Sequence, residues 1–170
     1  MLGTEKYIIG VFAEIIASQT VKAANGGTAV NYLYGPGDDI VSAMRTEAQG
    51  GVKVFPLIAL IYPLKPHRGA RPDMECTLKD LHLLIAVAAN KEMKVMSRYD
   101  YNYKTTLYPL YEALINAIAA SAYFLEVWPE KIIHDVEEAP NYAANDFVDA
   151  LEIKNMTLNL FKNYNRWIRS

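Results

Sequence analysis

The start of the chain has apolar residues at the spacing of an amphipathic helix. Apolar pairs recur every three to four positions, the period at which one face of a helix is buried. Thr4 is placed to cap the first turn, and Gly26 and Gly27 are suited to a positive φ at the end of a helix. The pattern predicts one helix from about Thr4 to Ala24. Glu14 interrupts the apolar stretch, which favours this helix over a secretory signal peptide.

A short extended piece and a second helix follow. Residues 29–34 run into a tight turn at 35–37, where glycine and proline alternate. Asp38 or Asp39 is expected to cap a shorter helix that continues to Arg45.

The middle of the chain predicts a hairpin. Residues 52–63 are apolar at both odd and even positions, which face opposite sides of a strand. This is expected of a strand that is covered on both faces or packed in an oligomer. Pro56 has no N–H to give to a sheet, so that end of the strand should lie at an edge or a bulge. Residues 64–76 are rich in proline, glycine and charge and predict a projecting, exposed loop, and 77–88 predict the returning strand.

The longest helix is expected to begin near Thr105 or Thr106, with Pro109 in its first turn, and to end at Trp128 and Pro129. Its buried face should comprise Leu107, Leu110, Tyr111, Leu114, Ile115, Ile118, Ala122 and Leu125.

Two further strands are expected at 131–136 and 151–161. In the second, the apolar positions change from odd to even numbers, which predicts a β-bulge at or near Asn155. The element order predicts an α+β fold: a mainly antiparallel sheet of about four strands packed against two or three helices, with a long projecting hairpin loop. No linker or repeat divides the chain, so one domain over 1–170 is expected, with a C-terminal tail at 162–170.

Composition excludes several classes of protein. The chain has 170 residues, of which 52% are hydrophobic and 21% charged, with a net charge of −2. These values are typical of a globular domain and argue against disorder and against general binding to nucleic-acid phosphates. One cysteine cannot build a disulfide framework. No apolar segment reaches the roughly 18 to 20 residues that cross a bilayer, so no membrane partner is expected.

Catalytic and metal-binding patterns are scarce. Cys76 and His82 could point to a common metal, but their spacing matches no compact zinc pattern, and a partly buried strand histidine is expected instead. Cys76 as a nucleophile would need a positioned base, and only His82 offers one. The glycines form no phosphate-binding loop. We therefore expect no catalytic residue, no metal and no cofactor.

Acidic residues form two clusters late in the chain, which are Asp135, Glu137 and Glu138, then Asp146, Asp149 and Glu152. Paired carboxylates can cleave glycosidic bonds. These clusters lie at the polar ends of apolar strands, so solvated charge is expected, and an acidic surface would also repel passing DNA.

The tyrosines are the most unusual feature. Tyr99, Tyr101 and Tyr103 alternate with polar residues, which predicts an extended segment with one tyrosine face. Stacking on single-stranded nucleic acid would need a basic groove, and only Arg98 and Lys104 flank the run. An oligomer interface or core position is therefore expected. The aromatic and basic C-terminal residues suit either a partner-docking tail or a short helix that closes the fold.

The element order and the segments VNYLYGPGDDI, FPLIALIYP, RYDYNYKTTLYPLYEAL and DFVDALEIKNMTLNL resemble the tail terminator (tail completion) family of bacteriophage neck proteins. The resemblance covers roughly residues 6–160. It implies a non-enzymatic α+β virion protein, assembled in the host cytoplasm, that forms rings, commonly hexamers. Such rings cap the tail tube and join it to the head connector, so the implied partners are further copies, the tail tube protein, connector or neck proteins, and DNA only in the lumen.

The resemblance makes the hairpin loop the expected arm toward a neighbouring ring or tube. The candidate contact residues are Pro66, His67, Arg68, Arg71, Tyr99, Tyr101, Tyr103 and Trp167. A ring subunit needs two different surfaces, for which strand 52–63 and the tyrosine run are candidates.

Three alternatives remain open from sequence. A head-completion or connector ring is close to the first hypothesis. A small α+β ligand-binding domain or enzyme would need convergent polar residues in a pocket. A binder of single-stranded nucleic acid would show salt-dependent binding through its tyrosines.

Overall fold

The computed structural model describes residues 3–48, 53–68, 76–89, 94–124, 128–142 and 148–160. These residues form a six-stranded, mainly antiparallel sheet with helices packed on it. The predicted α+β class is confirmed, with six strands where about four were expected. Residues 162–170, predicted as a tail, lie outside the described residues.

The N-terminal helical region is split in two. Helix α1 spans Gly3–Ile16 and helix α2 spans Gln19–Ala24. Between them Ser18 has φ −63° and ψ 155°, an extended backbone that interrupts helical hydrogen bonding. The prediction of one continuous helix was therefore wrong. Gly26 and Gly27, with φ of 64° and 84°, follow the pair as predicted.

Strand β1 (Asn31–Gly35) and helix α3 (Gly37–Ala48) follow. Asp38 and Asp39 lie inside the first turn of α3 rather than at its cap, where their carboxylates complement the positive end of the helix dipole. Thr4 likewise lies inside α1 rather than at its cap. Both capping predictions were therefore wrong, because α1 already includes Thr4 and α3 begins at Gly37, before either aspartate.

The hairpin is present, but its first arm is divided. β2 (Leu57–Ile61) and β3 (Lys65–Arg68) pair antiparallel with successive parts of β4 (Cys76–Ala88). The exposed loop predicted for 64–76 was wrong for 65–68, which form β3 and pair with β4, and residues 69–75 lie outside the described residues. Pro66 is tolerated in β3 because this strand lies at an edge of the sheet.

All five residues of β2 are buried, as predicted for a strand covered on both faces. β2 lies between β1, to which it is parallel, and β4. The strand is shorter than the predicted 52–63, because it begins after Pro56, which cannot donate to a ladder.

A long helical stretch crosses the sheet. It comprises α4 (Val95–Arg98), a π-helix (Tyr99–Leu107) and α5 (Tyr108–Ala120). The stretch thus begins earlier and ends earlier than predicted, with Pro109 in the first turn of α5. A 3₁₀ turn follows at Pro129–Lys131.

The buried face predicted for this helix is confirmed in its middle. Its fully buried members are Leu107, Leu110, Leu114 and Ile118. Ala122 lies beyond the end of α5 and is exposed, so its assignment to the buried face was wrong. Leu125 lies outside the described residues.

Strands β5 (Ile133–Pro140) and β6 (Val148–Leu160) complete the sheet. Ile133 pairs with Thr157, and Asp135 pairs with Lys154. Two positions along β5 thus correspond to three positions along β6, so β6 has one extra residue. Asn155 has a φ of 56°, and the predicted bulge at this position is confirmed.

The strands are hydrogen-bonded in the order β1-β2-β4-β6-β5. β3 also pairs with β4, on the same side of it as β2. Two apolar clusters lie on its two faces. The larger joins the sheet to α1, α2 and α5, and includes Phe12, Ile58, Leu83, Leu114 and Ile153. The smaller joins the other face to α3, and includes Ile40, Met44, Leu57, Ala59 and Ala86.

Candidate functional site

The tyrosine run lies in the π-helix rather than in an extended segment. Tyr101 is 66% exposed, whereas Tyr103 is buried, so the three rings do not share one face. Tyr99 stacks on Tyr103, with ring centroids 5.7 Å apart and ring planes at 19°. The prediction of a single tyrosine face was wrong, because side chains four positions apart, not two, are neighbours on a helix.

The π-helix sets which side chains face the sheet. Arg98, the adjacent pair Asn102 and Tyr103, and Leu107 are buried, and each of the three sites is four or five positions from the next. A π-helix bonds each residue to one five positions away, so it has more residues per turn than an α-helix and keeps this spacing on one face. Arg98 and Asn102 are thereby both brought to Asp149 of β6.

Asp149 is 0% exposed and is held by charged and neutral donors. Arg98 Nε donates to Asp149 Oδ2 at 3.1 Å, and Arg98 Nη2 donates to Oδ1 of the same carboxylate. Asn102 Nδ2 donates to Asp149 Oδ2 at 2.7 Å. Arg98 Nη2 also donates to Asn141 Oδ1 at 2.6 Å. This network ties the helical stretch to the start of β6 and to the turn before it.

The expectation of solvated charge was wrong for Asp149. Val148 and Ala150 belong to the cluster under α3, so the alternation of the strand turns Asp149 toward the opposite, helical side. A carboxylate within an apolar strand segment was the available signal, since a buried charge needs a partner. The identity of that partner, Arg98, depends on a contact that the sequence does not show.

His134 has a structural role on β5. Its Nδ1 lies 2.7 Å from the carbonyl oxygen of Ile132, which can only accept, so Nδ1 carries the proton. Its Nε2 then accepts from the Tyr111 hydroxyl at 2.6 Å. The Tyr111 contact thus holds β5 against α5, and the local contact with Ile132 fixes the orientation of the ring.

The carboxylates of β5 lie on an edge strand and are bound by neighbours. Lys154 Nζ lies 3.0 Å from both Glu137 Oε2 and Glu152 Oε2, and these hydrogen bonds raise the pKa of Lys154 above its ordinary value. Asn155 Nδ2 donates to Asp135 Oδ2 at 2.8 Å.

Glu138 points to the opposite face of β5. It accepts a hydrogen bond from the Tyr108 hydroxyl, which raises the pKa of Tyr108 to about 12. Asp146, the remaining acidic candidate, lies outside the described residues.

A shallow cavity of about 230 Å³ opens on the sheet face that α3 covers in part. Its lining residues are Ile61, Tyr62, Pro63, Lys65, Asp80, His82, Lys154 and Asn155. His82 Nε2 lies 3.4 Å from Glu152 Oε1. Burial lowers the pKa of His82 below 6.5, although the Glu152 carboxylate acts in the opposite direction. The predicted partly buried strand histidine is confirmed.

The other candidate contact residues fall in two groups. Pro66, His67 and Arg68 lie in β3, within the paired part of the hairpin. Arg71 and Trp167 lie outside the described residues.

The hairpin carries a concentration of positive charge. Lys65 of β3 is directly opposite Lys79 of β4, and both are exposed. Lys65 Nζ lies 3.4 Å from Asp80 Oδ2 at the surface. Like charges directly opposite each other destabilise a strand pair, and an exposed ion pair offsets this only weakly.

Large apolar side chains are exposed on strands at the two opposite edges of the sheet. Tyr34 lies on β1, at one side, and is half exposed. Ile133 starts β5, at the other side, and is 73% exposed, and nearby Trp128 is 58% exposed. These residues are candidates for burial against another chain.

Among the described residues, no group of three histidine, cysteine or acidic side chains is arranged to hold a metal ion. No helix in the described part of the chain is long and apolar enough to cross a membrane. No protein-family model matches the chain, and no curated protein matches its sequence.

Proposed function

We propose that this protein is a structural virion protein of a tailed bacteriophage, which forms a ring at the neck, terminates the tail tube and joins it to the head connector. One observation carries the proposal: the sheet formed by the described residues ends in two unlike sides, neither of which pairs with a further described strand. On one side the outermost strands are β1 and β3, and on the other side the outermost strand is β5. Contacts between two different surfaces of one chain generate rings when the rotation closes.

The side chains on the two sides support this arrangement. Tyr34 is exposed on the first side, and Trp128 and Ile133 are exposed on the second. Aromatic residues are enriched in the buried centres of interfaces, where ring area is removed from water at small cost in side-chain entropy. Burying these residues between subunits would remove apolar surface that the single chain leaves in water.

The proposed partners follow from the resemblance to tail terminators. They are further copies of the chain, six in the commonest arrangement, together with the tail tube protein and the head connector or neck proteins. DNA passes through the lumen without specific contacts, which suits a chain with a net charge of −2. The location is the virion, after assembly in the host cytoplasm.

Native mass spectrometry over a range of protein and salt concentrations, with negative-stain imaging of the same samples, tests the proposal. We expect closed rings, predominantly with six copies. A particle that remains a monomer at every concentration, and also when purified tail tubes are added, would contradict it.

A head-completion or connector ring uses the same physics, and binding separates the two roles. A terminator ring is expected to sediment with tail tubes lacking their own terminator, whereas a head-completion ring is expected to sediment with DNA-filled heads. Binding to heads alone would transfer the proposal to the head side of the joint.

The cavity beside His82 favours a second candidate function, a small ligand-binding domain. It combines Lys65 and Lys154 with Asp80 at the entrance of a 230 Å³ space. Pockets with a few convergent polar groups bind small molecules. A thermal shift of several degrees with one compound from a panel of small anions, abolished by Lys154→Met, would support this function over the ring.

A further inference from the structure

At the hairpin end of the sheet, four strands lie in the order β3-β4-β6-β5. β3 and β5 therefore lie at opposite edges of the sheet, with the row of Ile133 running toward β3 and the rows of Asp135 and Glu137 running toward β2 and β1. The described residues pair β3 with β4 and β5 with β6. Within the part of the chain that the structure describes, β3 and β5 each pair on one side only, and the other side of such a strand can take a further strand.

The two edges carry opposite charge. The β3 side has Lys65, and Lys79 of β4 lies directly opposite it. The β5 side has Asp135 and Glu137, with Glu138 on its other face. Lys154 neutralises part of the acidic side and Asp80 part of the basic side, so each edge keeps an excess of one sign.

We propose that the basic β3 edge of one copy contacts the acidic β5 edge of the next copy, head to tail. This inference rests on the proposed ring function and names the contact that builds the ring. The lysine pair at positions 65 and 79 repels itself in a single chain, and carboxylates from a neighbour would relieve that repulsion. Opposite potentials also speed the encounter and fix its register.

The same charges act against the competing assemblies. Two β5 edges would bring acidic residues together, and two β3 edges would bring lysines together, so both twofold dimers are disfavoured. Only the contact between unlike edges remains favourable, and this is the type that closes into rings.

A charge-exchange experiment tests the contact. The first variant, Asp135→Lys with Glu137→Lys, makes both edges basic, and the second, Lys65→Glu with Lys79→Glu, makes both edges acidic. We expect each variant alone to lose self-association by about tenfold or more. An equimolar mixture should recover rings, in which the two variants alternate in a 1:1 ratio and the copy number is even. Native mass spectrometry measures composition and copy number together.

The control variant carries Asp100→Lys with Glu112→Lys, which changes the net charge as the first variant does, at exposed positions on the helical stretch. It should assemble like the natural chain. Circular dichroism of all three variants verifies folding, and recovery in the mixture is itself a result that unfolded chains could not give.

The outcomes separate this contact from the ring function. Rings that form equally well from each charge variant alone would overturn the contact and leave the ring function standing. Loss of assembly in both variants without recovery in the mixture would also overturn it. A natural chain that stays monomeric at low salt and on tail tubes would overturn both.

Discussion

The carboxylate of Asp149 is the clearest case in which one side chain links distant parts of the chain. Removing an ion from water costs several kcal/mol, which must be offset by charge and hydrogen bonds in the folded protein. Arg98 supplies the opposite charge and Asn102 a further donor at 2.7 Å. The contact therefore makes the position of the π-helix depend on the start of β6.

Replacing Asp149 with Asn is expected to lower the free energy of unfolding by about 3–5 kcal/mol, because it leaves the Arg98 guanidinium buried without a counter-charge. Urea denaturation followed by circular dichroism measures the loss. Glu112→Gln, at an exposed position, is the matched control and should change stability by less than about 0.5 kcal/mol. A loss below about 1 kcal/mol for the Asp149 variant would show that the pair contributes little.

His82 should make stability depend on pH. Its pKa is lowered in the folded chain, so the unfolded chain binds more protons as the pH falls below 6.5. The stability that neutral His82 contributes is complete above 6.5 and is lost as the pH falls through the lowered folded pKa. His82→Gln should therefore flatten the profile of unfolding free energy between about pH 7.5 and pH 5.

A second variant, Glu152→Gln, should change the same pH profile in the opposite direction to His82→Gln. The Glu152 carboxylate raises the pKa of His82 against the effect of burial. Its removal should lower that pKa further and steepen the loss of stability on acidification. Equal slopes for the natural chain and for His82→Gln would refute the assignment of this pH dependence to His82.

Among elements, β6 shows what a local pattern can predict. The change in apolar parity across Asn155 appears in neighbouring residues, and strand geometry allows only an extra residue as its cause. The bulge was therefore predictable. A second irregularity lies in β4 between Leu78 and Leu81, near Asp80, whose φ is 53°. It was not predictable, because the apolar residues of β4 do not alternate over a stretch long enough to show a change of parity.

The tyrosine run shows the opposite case. Alternation over five residues fits a strand, but the deciding interaction is the burial of Arg98 and Asn102 against Asp149, 47 or more positions away. A π-helix is a response to such a contact, since its local propensity is poor. The fold class followed from the order of elements, whereas this network needed the packing itself.

Asn155 has a left-handed backbone, so its variants should separate backbone strain from side-chain bonding. Both Asn155→Gly and Asn155→Ala remove the hydrogen bond to Asp135, but only glycine adopts a φ of 56° without steric cost. The alanine variant should be less stable than the glycine variant by about 1–2 kcal/mol. Equal midpoints in urea denaturation would mean that the bulge relaxes on substitution.

For the whole molecule, the unlike sides of the sheet connect the fold to the proposed ring. The side that ends in β1 and β3 carries Tyr34 and basic residues, and the side that ends in β5 carries Ile133 and acidic residues. Exposed apolar residues contribute affinity by burial, whereas the charges set orientation and rate. Substitutions at these positions should therefore affect association far more than folding.

Ile133→Ser tests this separation. Because Ile133 is 73% exposed, the free energy of unfolding of the single chain should change by less than about 0.5 kcal/mol. Ring formation, measured by sedimentation velocity, should weaken by about tenfold if the side chain is buried between subunits. Met96→Ser, at a residue that is 77% exposed on α4, is the matched control and should leave ring formation unchanged. Equal effects of the two substitutions would argue against a contact at β5.

The central pairing of β4 with β6 has a consequence for how the chain is made. The two strands are adjacent in the sheet, but the whole helical stretch and β5 are translated between them. At about 5–20 residues per second, β4 leaves the ribosome several seconds before its partner exists. During that interval the apolar run at 83–88 has an unpaired edge of the kind that nucleates aggregation. Chains that stop before β6 should accumulate as insoluble material, so the yield of folded protein depends on uninterrupted synthesis through β6.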